Sequence, residues 1–97
     1  MTKRNLKIRN AEIALETARA LITGTRREAY GDECLPNVAE RWKKLFPDSD
    51  ITPAKTAIAM AELKLARLNT TIDHTDSIID AIGYLALAYE FIIENDG

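Results

Sequence analysis

The stretch LKLARLNTTIDHTDSIIDAIGY, residues 63–84, carries the reading on which the fold turns. Apolar residues recur at helical spacing in both halves, and the polar run Thr70 to Asp73 between them is a short connection. Long helices joined by a short turn lie antiparallel, so facing residues keep a nearly constant sum of residue numbers. With that sum at 143–144, Arg67 faces Asp76, Lys64 faces Asp80, and Met60 faces Tyr84. On the first helix Met60, Lys64 and Arg67 stand at i, i+4 and i+7, and on the second Asp76, Asp80, Tyr84 and Leu87 share one side. A single seam is expected, charged beside the turn and apolar beyond it. The four charges have two possible uses. They can be ion pairs that fix the register, or the floor of a polar ligand site. Partly buried ion pairs often fail to recover their desolvation cost, which gives the second use weight.

Working outward, Thr52-Pro53 reads as a helix start, a capping hydroxyl followed by a proline whose missing N–H costs nothing there. The helix it opens, about 53–69, has an apolar stripe of Ala54, Ile58, Ala61, Leu65 and Leu68, widened by Ala57, Leu63 and Ala66. A last helix over about 75–94 is charge-free on every side from Ala81 to Tyr89. A helix apolar all round must be covered all round, and three other helices of one small chain scarcely suffice. A homo-oligomer sharing these two helices is therefore expected, in its simplest form a dimer. Upstream, Ile8, Ala11, Leu15, Ala18 and Ile22 trace a helix over about 5–23 that Gly24 stops. Residues 24–36 have no sustained period and form an irregular loop. Asn37 with Glu40 suggests a capped short helix over about 37–46, with Trp42 as its anchor. The fold class is all-α: one domain of four helices spanning 1–97, ending in an antiparallel hairpin.

Composition bounds the function. The chain of 97 residues is 46% hydrophobic and 29% charged, with 4 Gly and 3 Pro, which makes it globular rather than disordered. A net charge of -2 supplies no field for non-specific nucleic-acid or acidic-membrane binding. No segment carries several exposed bases in the manner of a recognition helix, so no nucleic-acid partner is expected. The longest apolar run, Ile78 to Ile93, is broken by Asp80 and Glu90 and falls short of the roughly 20 residues that span a bilayer. The single Cys34 is read as a structural thiol, and the basic start lacks the apolar core of a signal peptide. A cytoplasmic location is expected.

Candidate site residues gather near the turn. Arg26, Arg27, Tyr30 and Asp32 of the irregular loop, with Lys64, Arg67, Asp76, Asp80 and Tyr84, could hold a phosphate or nucleotide, arginine supplying a bidentate fork and tyrosine a stacking face. His74 beside Ser77 at a helix start is a poor geometry for proton transfer and reads as a capping or surface residue. Gly83, inside a helix, marks a close approach by another helix or by a ligand.

The succession Arg27, Tyr30-Gly31-Asp32, Asn37, Arg41-Trp42, Lys64-Leu65-Ala66-Arg67, Asp76-Ser77, Asp80 and Gly83-Tyr84 resembles a family of small bacteriophage and prophage proteins of unknown function. More loosely it is similar to a nucleotide-modification-associated family. A more distant likeness is to the all-α nucleotide pyrophosphatases of the MazG kind. That likeness implies magnesium held by Asp76 and Asp80 with Glu62, and nucleoside triphosphate pyrophosphohydrolysis. The chain departs from the MazG pattern where a first acidic pair should stand, for it has Lys64 and Arg67 there, and a cation would be repelled. The leading expectation is an accessory protein that binds a phosphorylated, nucleotide-like ligand, with no catalytic residue and no cofactor. The alternatives are the magnesium-dependent hydrolase and an acidic protein-binding inhibitor of a host defence system or host enzyme.

Overall fold

The computed structural model describes residues 3–24 and 34–95. They form four helices: α1 (Lys3–Leu21), α2 (Cys34–Leu45), α3 (Pro53–Arg67) and α4 (Thr75–Asn95). No strand occurs among the described residues, and the chain is all-helical.

Local chemistry explains most of the boundaries. Thr52 is the N-cap of α3 in an extended conformation, and its Oγ1 accepts from the Lys55 N–H at 3.2 Å. Pro53 occupies the first helical position, where no N–H is needed. Thr56, fully buried one turn on, donates its hydroxyl to the Thr52 carbonyl at 2.8 Å. Gly24 has φ 64°, the left-handed conformation that lets the chain leave α1. α2 begins at Cys34, three residues before the capping asparagine expected at Asn37. Pro36 therefore lies in the first turn, among the N–H groups that have no helical acceptor, and its ring costs nothing there. The Cys34 thiol is free and exposed at that helix start, not packed as a structural thiol would be.

The core is built on small residues. Leu35 of α2, Ala57 and Ala61 of α3, and Ala81, Tyr84, Leu87 and Ala88 of α4 form one buried cluster, with Ile22, Met60 and Phe91 packed against it. Alanines at the α3–α4 contact let the two backbones come close, and this is the most extensive helix contact in the chain. α1 packs on α4 and α2 on α3. The larger residues of the expected α3 stripe, Ile58, Leu63 and Leu65, stay exposed, as do Ile13 and Leu15 of α1. Among the described side chains of α1 and its exit, Ala18 and Ile22 reach the core.

Candidate functional site

Lys64 lies three residues before the end of α3, and Asp80 lies in the second turn of α4. Their Nζ and Oδ2 atoms are 3.0 Å apart, with side chains only 19% and 22% exposed. Arg67 and Asp76, expected as the second pair, are both exposed, and no ion pair joins them among the described residues. Both stand beside the turn in open water, where holding two long side chains together yields little. Asp76 sits instead in the first turn of α4, where its charge meets the positive end of the helix dipole.

Beside the pair lies a shallow cleft of about 10 Å³, lined by Leu21, Ile22, Asp80, Gly83, Tyr84 and Leu87. Its walls are apolar except for the Asp80 carboxylate and the Tyr84 phenol. Gly83 is buried and faces α1, and a Cβ added there would stand 3.6 Å from the Ile22 Cγ2, an ordinary contact. An alanine would therefore fit between the helices. It would also be worth roughly 1 kcal/mol of helix propensity over glycine. Helix packing does not require glycine at this position, and what remains beside it is the cleft.

The start of α4 holds a polar pair built on His74, which the sequence offered as a capping or surface residue. Ser77 is buried, and its backbone N–H and its hydroxyl both meet the His74 Nδ1, at 3.3 and 2.7 Å. The same Ser77 N–H also donates to the His74 carbonyl at 3.1 Å. His74 thus does the work of an N-cap, one of the two uses its place in the sequence suggested.

Glu62 is exposed, and among the described residues no three His, Cys, Asp or Glu side chains converge as metal ligands. Asp80 is held on a lysine ammonium, so Asp76, Asp80 and Glu62 do not fit a magnesium ion in this arrangement. Arg26, Arg27, Tyr30 and Asp32 lie outside the described residues. Among the described residues no helix is long and apolar enough to cross a membrane.

The described residues thus define an all-helical domain with a half-buried lysine–aspartate pair beside a small apolar cleft. The chain belongs to the family described as a domain of unknown function, DUF6378, whose pattern it matches over residues 13–92. It is similar to the Gene 55 protein of Mycobacterium phage L5, 31% identical over 84 residues that cover 84% of this chain and 54% of the phage protein. The chain thus spans about half the length of that relative. No solved structure matches it. It is a protein of phage type, as the motif succession implied.

Proposed function

We propose that the protein binds a small phosphorylated, nucleotide-like ligand, one end of which seats against the cleft beside Gly83. The observation that carries this reading is the glycine itself. A residue that weakens α4, at a place where alanine would fit against α1, is accounted for by a ligand that must approach the backbone. The cleft, about 10 Å³, has room for about one water molecule, so the edge of a ring seats against its mouth rather than an entire nucleotide inside it. Ile22, Leu87 and Tyr84 offer apolar and aromatic surface to that ring, and the Asp80 carboxylate accepts hydrogen bonds from its N–H groups. Lys64, next to Asp80, and Arg67, one turn further along α3, supply positive charge for the phosphate. Arg26, Arg27 and Tyr30 complete the proposed set. Magnesium and hydrolysis have no part in this reading, whose place of action is the host cytoplasm.

Thermal-shift and calorimetric titration with nucleoside mono-, di- and triphosphates, with and without magnesium, is the test. Stabilisation by at least one nucleotide, lost in Gly83→Val and in Lys64→Ala, is the expected result. Melting unchanged across the whole panel would end the proposal. Pyrophosphate release that needs magnesium would replace it with the hydrolase.

A further inference from the structure

Independently of any ligand, one face of the α3–α4 pair is uncovered and apolar. Ile58 and Leu65 on α3 are 40% and 42% exposed, and Ile78, Leu85 and Ile92 on α4 are 40%, 47% and 49% exposed. Each set repeats every seven residues. In the register set by Lys64 and Asp80, Ile58 stands level with Leu85, and Leu65 with Ile78. Each of these residues follows a buried or half-buried residue of the shared contact: Ala57, Lys64, Ser77, Tyr84 and Phe91. A step of 100° from the contact on two antiparallel helices turns both side chains toward the same face of the pair. The opposite face, where Gly83 and Thr56 are buried, carries α1 and α2. The five large residues therefore line a single open surface with the seven-residue period of helix-bundle seams.

We propose that a second copy of this chain covers that surface, giving a four-helix bundle with its two-fold axis at the level of Ile58 and Leu85. Charge selects this occupant, because the surface is complementary to itself. With α3 antiparallel to α3 of the other copy, Lys55 and Glu62, at nearly equal distances on either side of Ile58, fall opposite Glu62 and Lys55 of the second chain. On α4 the same axis sets Leu85 against Leu85, Ile78 against Ile92, and Tyr89 over Ile82. Lys55 is 3.1 Å from the Asp50 carboxylate and remains more than half exposed, so its ammonium can reach a second acid.

Sedimentation equilibrium and light scattering of the wild-type chain are expected to return twice 10.8 kDa at about 100 μM, a concentration that fills sites of micromolar affinity. Leu85→Glu is expected to return the single-chain mass with helical circular dichroism retained. Lys55→Glu and Glu62→Lys should each raise the dimer dissociation constant about 3- to 10-fold, as two exposed ion pairs per dimer would allow, and the double charge swap should restore it. Lys55 and Glu62 lie too far apart on one helix to pair within a chain, so restoration identifies a contact between copies. A wild-type chain of single mass, or a double variant weaker than either single one, overturns the proposal.

Discussion

Gly83 can be questioned by adding a single methyl group. Because the new methyl meets only the end of Ile22 at contact distance, Gly83→Ala is expected to raise stability by up to about 1 kcal/mol in urea unfolding followed by circular dichroism. If glycine is there for a ligand, the same variant binds nucleotide more weakly while melting higher. A purely structural glycine would not divide the two readouts in that way. The Lys64–Asp80 pair asks a complementary question. Removing one partner leaves a charge with little water and no counterion, so Lys64→Ala is expected to cost about 2 kcal/mol in the same experiment. Lys64→Met combined with Asp80→Leu should cost less than the sum of the single changes, with about 1 kcal/mol of coupling. His74 is a third case. Its Nδ1 meets the buried Ser77 hydroxyl and shares the Ser77 N–H with the His74 carbonyl, so His74→Ala should lose up to about 1 kcal/mol, and His74→Asn, which keeps a side-chain acceptor, should recover most of it.

Among the helices, legibility followed the strength of the local signal. α3 was readable to its first residue because Thr52-Pro53 combines an acceptor with a fixed φ, and the structure has Thr52 capping and Pro53 opening the helix. Gly24 supplies the left-handed conformation expected of a stop, while α1 itself ends at Leu21, two residues before the expected end at 23. α2 was misplaced by three residues because Asn37 mimics a cap while Pro36 is tolerated inside a first turn. Apolar periodicity located the helices well but not their covered sides. On α3 the sequence offered a stripe containing both alanines and leucines, and packing chose the alanines because close approach to α4 excludes bulk there. The candidate site was legible only where opposite charges stood level across a short turn. Lys64 and Asp80 met, while Arg67 and Asp76, one turn nearer the solvent, had no desolvated environment to hold them together. The cleft wall from Leu21 and Ile22 was not foreseen, since nothing in the residues of α1 announces which turn of α4 it touches.

For the entire chain, size and shape argue together. The radius of gyration is 15.2 Å, above the about 12.5 Å of a compact chain of this length, and the long axis measures 54 Å against 22 Å for the shortest. A molecule so drawn out has little interior, which is why its buried set is mostly alanine and why large residues remain outside. A second copy on the open face would supply the missing interior, and it would tie stability to concentration. For a dimer that unfolds to two free chains, with an unfolding enthalpy of about 140 kcal/mol, a tenfold rise in concentration raises the melting temperature by about 3–4 °C. Leu85→Glu, confined to single chains, should melt lower and at one temperature whatever its concentration. Gly83 and Leu85 lie about 200° apart around α4, so the cleft and the open face look in opposite directions. The nucleotide-induced rise in melting temperature should therefore survive in Leu85→Glu. Its loss there would mean that the cleft needs the second copy to be complete.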